Sequence, residues 1–209
     1  MSDGTFWLPA APDSGIEPGS RRLLAYGANR SADGLARKLG DPSPPVAAVH
    51  GWLRDFDVVY SSHLSPYGAV PATLQASPGT EVSVHVLCLD DRQLAAIDAA
   101  EPNYELVVLD DLWIELDSGA RHFEAVEAYL SRHGCLNVEG AERALAAIRA
   151  RGRTLAACEH QAMLAAVRDR LAPGEDLESF ILDGVDDPSV QRARTNRLRA
   201  DALAFVRRR

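Results

Sequence analysis

The chain has 209 residues, 46% of them hydrophobic, enough for a packed core in one domain or one domain with an appendage. Its formal net charge of −8 argues against nucleic acid as a partner, because phosphate binding needs a basic face. Cys88, Cys135 and Cys158 are too few and too odd in number for a disulfide framework, and no apolar run approaches the roughly 20 residues of a membrane span.

No CxxC pair occurs, and His133-Gly134-Cys135 and Cys158-Glu159-His160 lack zinc-site spacing, so no metal is expected. The cysteine usage points to a reducing compartment, no signal peptide is read at the start, and the cytoplasm is the expected location. The tail Arg207-Arg208-Arg209 reads as a solvated end.

Residues 1–20, with Pro9, Pro12 and Pro18, read as a loose arm in which Phe6, Trp7 and Leu8 are able to dock. A first strand follows over 22–26. It ends in the small-residue hook Gly27-Ala28-Asn29, and a helix is expected over 31–39, with Ser31 as N-cap and Leu35 and Leu39 one turn apart. Asp41-Pro42-Ser43-Pro44-Pro45 breaks that helix. Short strands are expected over 46–53, 56–62 and 69–76, a turn at Ser77-Pro78-Gly79-Thr80, and a strand over 81–89 with Val82, Val84 and Val86 on one face.

The period then becomes helical over 90–101, opened by Asp90 or Asp91. Strands read over 104–109, 112–116 and 122–130, with a turn at Asp117-Ser118-Gly119-Ala120. From about Val138 the composition shifts to Ala, Arg, Leu and Glu. Helical spacing is read over 138–150, 154–171 and 188–206, punctuated at 172–176 and 183–188. The fold class is thus α+β, and the expected organisation is an arm over 1–20, a β-rich domain over 21–137 and a helical C-terminal extension over 138–209 packed on it. The arginine-rich helices read first as solvated faces, with a lid or a homodimer contact as the alternative use.

Glu101 is the residue that carries chemistry. It continues the apolar series Leu94 and Ile97 on one helical face, where a carboxylate is either paired, surfacing or working. The C-terminal end of a helix disfavours a negative charge, and burial disfavours any ionised carboxylate, so a carboxylate so placed makes a useful base. Pro102 bends the chain away from helical geometry just beyond it. His63, beside Ser62 in the hydroxyl-rich stretch 60–71, reads as a structural histidine, since no matched acid stands at a telling spacing for a hydrolase triad.

Over about residues 22–116 the chain resembles the gamma-glutamylcyclotransferase family. The resemblance is carried by Tyr26-Gly27-Ala28-Asn29 after the first strand, by Ala72-Thr73-Leu74, Pro78-Gly79 and Glu81-Val82 in succession, by Ile97-Asp98-Ala99-Ala100-Glu101 on the helix, and by Tyr104 shortly after. The chain departs from the family pattern in three ways: Pro102 after the Glu, Ser83 and Val84 in the strand after Glu81-Val82, and Arg30 after the hook. The resemblance implies a small β-barrel with flanking helices. It also implies an acyltransferase or lyase chemistry, without a cofactor, in which a γ-glutamyl amide closes to 5-oxoproline and releases its amine or amino acid.

In that picture Glu101 is the general base. Tyr26, Gly27, Ala28, Asn29 and Tyr104 hold the γ-glutamyl head of a small-molecule substrate, and membranes and nucleic acids play no part. The alternative is a catalytically inactive binding or regulatory module that retains the γ-glutamyl-type pocket.

Overall fold

The computed structural model describes residues 7–9, 20–40, 44–116 and 119–206. Most of the expected N-terminal arm, the first three residues of the break at 41–45, the first half of the turn at 117–120 and the terminal arginines lie outside the described residues. The elements are β1 (Trp7–Pro9), β2 (Arg21–Ala25), a 3-10 turn (Ala28–Arg30), α1 (Ala32–Leu39), β3 (Val46–Tyr60), β4 (Ala72–Leu89), α2 (Asp91–Ala99), β5 (Tyr104–Leu116) and β6 (Gly119–Ser131). They continue with β7 (Ala144–Leu145), β8 (Ala150–Arg151), β9 (Ala157–Cys158), α3 (His160–Leu171), α4 (Leu177–Asp186) and α5 (Pro188–Arg199). The class is α+β. No helix among the described residues is long and apolar enough to cross a membrane.

The chain forms two compact units, Met1–Asp55 with Glu81–Leu130, and Phe56–Thr80 with Ser131–Arg209. The second unit therefore takes in Phe56–Thr80 as well as the C-terminal stretch that composition sets apart. In the first unit the strands run in the order β4-β2-β6-β5-β3, with β1 parallel to β3. Strand β2 pairs antiparallel with β4, Leu23 opposite Leu87, and parallel with β6, Leu24 opposite Ala128. Helices α1 and α2 pack together, and their Leu35, Leu94 and Ile97 join Leu23, Ala25, Leu87, Leu89 and Tyr129 in one apolar cluster. That shared cluster is what brings the ends of α1 and α2 close. In the second unit α3, α4 and α5 supply Met163, Leu164, Val167, Phe180 and Leu198 to a cluster with Tyr60, Leu64, Val70 and Leu136.

Long strands replace several expected turns. Asp55 (φ 65°) lies inside β3 and Asp111 (φ 57°) inside β5, so polar residues that read as strand ends are kinks in continuous strands. The expected turn at Ser77-Pro78-Gly79-Thr80 is likewise a kink within β4. Gly79 takes φ 78°, and the Ser77 and Thr80 hydroxyls bond each other at 2.8 Å and reach Thr154.

The expected helix over 138–150 is absent. Glu139 (φ 56°) and Gly140 (φ 88°) form a tight reversal closed by Val138 and Ala141. The backbone beyond pairs with other segments: the Tyr60 N–H donates to the Arg143 carbonyl at 3.1 Å, and the Ala144 N–H to the Ala156 carbonyl at 3.0 Å. Helical spacing in an Ala-Arg-Leu stretch thus yields to tertiary pairing. The helix expected from 154 starts only at His160, and the one expected over 188–206 ends at Arg199. Helix α4 runs through the expected break at 183–188 as far as Asp186. It is started by Asp176, whose carboxylate accepts from the Ser179 N–H at 3.1 Å.

Candidate active site

The hook and the acid belong to the first unit, and each is set by local chemistry. After β2, Gly27 is followed by a single 3-10 turn closed by the Arg30 N–H on the Gly27 carbonyl at 3.0 Å. Ser31 then caps α1, accepting from the Gly34 N–H at 3.0 Å and donating to the Ala28 carbonyl at 3.0 Å. The Gly27, Ala28 and Asn29 backbone amides bond no group among the described residues. Ala28 is exposed, Gly27 half-buried and the Asn29 side chain buried.

Asp90 opens α2 with a reciprocal capping box, its carboxylate accepting from the Gln93 N–H at 2.7 Å while Gln93 Oε1 accepts from the Asp90 N–H at 3.0 Å. The helix ends at Ala99. Glu101 lies two residues beyond it, as the first residue of a turn closed by the Tyr104 N–H on the Glu101 carbonyl at 3.0 Å. Pro102 thereby occupies the second turn position, which its fixed φ suits. The same turn carries Glu101 and Tyr104 at its two ends.

The structure brings Asn29 and Glu101 together: Asn29 Nδ2 donates to Glu101 Oε1 at 3.2 Å. Lys38, in the last turn of α1, completes the group. Its Nζ donates to Asn29 Oδ1 at 2.7 Å and to Glu101 Oε1. The side chains of Lys38 and Glu101 are only 16% and 14% exposed. The sequence reading missed Lys38. Its one signal was position, three residues after Leu35 and beside Leu39 at the edge of the buried face, which says nothing of residue 101.

Around this triangle, Tyr26 turns its phenol inward and donates to the Tyr129 carbonyl, while the Tyr129 hydroxyl donates to Asp98 at 3.2 Å. Burial pushes the Tyr104 phenol well above its ordinary range, with Tyr26 and Glu101 adding to the effect, so Tyr104 stays a protonated donor at neutral pH. Burial likewise raises Tyr129, helped by Asp98. Two of the positions that depart from the family pattern also meet here: Arg30 Nη2 donates to Ser83 Oγ at 3.2 Å, and His50 Nε2 lies 3.0 Å from the same oxygen. A hollow of about 240 Å³ on this unit is lined by Ser20, Arg21, Arg22, Val108, Val126 and Glu127, and neither Glu101 nor the hook borders it.

His63, in the second unit, is 1% exposed, with Nδ1 2.7 Å from Ser61 Oγ. Burial and neighbouring His133 hold its imidazole down to about 3. Ser62 donates to the Leu198 carbonyl at 2.8 Å. These are sealed structural groups with no nucleophile open to solvent. No group of three or more His, Cys, Asp or Glu that could hold a metal occurs among the described residues.

No protein-family model and no curated protein matches the chain. Among solved structures it is similar to a gamma-glutamyl cyclotransferase at 23% identity and a TM-score of 0.44, over 54% of this chain and 66% of that one. It is similar to an Arabidopsis thaliana protein at 23% and 0.43, over 61% of this chain and 75% of that one. A third likeness is to an uncharacterized Homo sapiens protein at 17% and 0.45, over 81% of this chain and all of that one. At TM-scores below 0.5 and identities of 23% or less, these likenesses carry neither fold nor residue roles across.

Proposed function

We propose that the chain is a cyclotransferase acting on γ-glutamyl amides, with Glu101 as general base. The observation that carries this reading is the meeting of Asn29 and Glu101, 72 positions apart, at 3.2 Å beside the open amides of the hook. The strand run β4-β2-β6-β5-β3, whose two ends are joined by a further β4–β3 pairing, supports reading the sheet as the small barrel that the sequence motifs imply.

The reaction needs little from the protein beyond geometry and one base. The α-ammonium of the γ-glutamyl head loses a proton to Glu101, and the free amine attacks its own side-chain carbonyl carbon. A ring C–N bond forms, the bond to the outer amine breaks, Glu101 passes its proton to the leaving nitrogen, and the ring nitrogen sheds its second proton to solvent. A well-oriented intramolecular attack is worth effective molarities of roughly 10⁵–10⁸ M, so holding the bent conformer is the main task. The Gly27–Asn29 amides are donors for the α-carboxylate, and Gly27 keeps a side chain out of its way. Tyr104 offers a phenolic O–H near the head group.

The test is incubation with a panel of γ-glutamyl amino acids and γ-glutamyl amines, with 5-oxoproline and free amine quantified together. The expected result is their release in equal amounts from at least one compound. Binding of such compounds without either product would instead favour the non-catalytic module, a reading motivated by Lys38 already engaging Oε1 of Glu101.

A further inference from the structure

A donor and acceptor count at the Lys38–Asn29–Glu101 triangle leaves two places open. An ammonium has three N–H donors. Lys38 gives one to Asn29 Oδ1 and one to Glu101 Oε1, and the third has no acceptor among the described residues. Glu101 Oε1 accepts from Lys38 and Asn29, while Oε2 accepts from no described residue. A largely buried ion pair therefore keeps one cationic donor and one anionic acceptor in reserve.

We infer that Lys38 is a specificity residue which reads the α-carboxylate of the ligand while Glu101 Oε2 receives its α-ammonium, so that the site selects an unblocked α-amino-acid head. This rests on the proposed role of Glu101 toward the amine. A zwitterionic head set against Lys38 and Glu101 places each charge beside its opposite and adds no net charge to the site. A head whose carboxylate is blocked as an amide leaves the Lys38 donor unmet by a charge, and losing a charge-assisted hydrogen bond weakens binding. The hook amides alone are neutral donors and discriminate less between carboxylate and carboxamide.

The experiment compares a γ-glutamyl alkylamide bearing a free α-carboxylate with its α-carboxamide counterpart, following 5-oxoproline and its carboxamide analogue in wild type, Lys38→Met, Lys38→Gln and Lys38→Arg. Wild type is expected to favour the free carboxylate in KM by about tenfold or more. The neutral variants are expected to lose most of that preference, and Lys38→Arg to keep much of it. Lys38→Gln retains a hydrogen-bonding side chain and serves if Lys38→Met folds poorly. Turnover by wild type with the preference unchanged in the neutral variants overturns the role of Lys38 and leaves the cyclotransferase reading standing. Absence of turnover of either compound and of the whole γ-glutamyl panel by wild type overturns both.

Discussion

Among the described residues, Asp57 with Arg153 in the second unit and Glu101 with Lys38 in the first are both largely buried ion pairs, and the two differ in what they leave unfilled. In the second unit Asp57, fully buried, accepts from Arg153 Nε at 2.8 Å and Nη2 at 3.0 Å, and from the Val58 N–H at 2.8 Å. Arg153 Nη2 also donates to the Ile148 carbonyl at 2.7 Å. Both oxygens are occupied, and the pair fixes the loop carrying Ile148 and Arg153 onto β3. In the first unit Glu101 and Lys38 stay slightly exposed and keep an acceptor and a donor in reserve. A saturated pair serves structure, and an unsaturated one keeps the hydrogen-bonding groups that the proposed function assigns to a ligand.

The contrast is broken most severely at Arg153. Arg153→Met leaves the Asp57 charge buried and unpaired, which costs about 3–5 kcal/mol, equivalent to a fall in Tm of roughly 6–20 °C for a chain of this size. Thermal unfolding of wild type and variant measures it, and a shift under about 2 °C would contradict the structural role. Lys38→Met, at the unsaturated pair, is expected to lower Tm less in the same measurement, because solvent reaches the carboxylate it leaves behind.

A smaller effect belongs to His63. The unfolded chain takes up a proton near about pH 6.5, whereas the folded imidazole refuses it down to about 3. The folded state therefore binds fewer protons across that window. The histidine's contribution is complete above about pH 6.5 and is lost as pH falls toward 3, by up to about tenfold in the folding equilibrium per pH unit. Denaturant midpoints at pH 7.5 and 4.5 are expected to diverge more in wild type than in His63→Asn. Equal divergence in both proteins would remove His63 from the acid response.

The smallest effect is expected at Asn29. Asn29→Ala removes a donor from Glu101 and an acceptor from Lys38, and a rise of about tenfold in KM for the γ-glutamyl substrate is expected. An unchanged KM would separate the hook from the ligand.

What the sequence discloses follows the range of the forces involved. The starts of α1 and α2 were legible because Ser31 and Asp90 cap within three residues, and Leu35, Leu39, Leu94 and Ile97 repeat at helical spacing. The long strands were not, because Asp55, Asp111 and Pro78-Gly79 carry turn chemistry that tertiary pairing converts into kinks. Residues 138–150 have helical composition, yet Tyr60 and Ala156 claim their backbone groups. Glu101 and the hook were legible as motifs. Lys38 was not, since its partner lies 63 positions away and only the packing of α1 on α2 joins them.

The central claim is that the acceptor held in reserve on Glu101 receives the proton of the ligand's amine. Glu101→Gln keeps the shape of the side chain and removes the base. With a γ-glutamyl compound that wild type converts, the variant is expected to release 5-oxoproline at least about 10²-fold more slowly while its Tm stays close to that of wild type. Equal turnover by the two proteins would contradict the account.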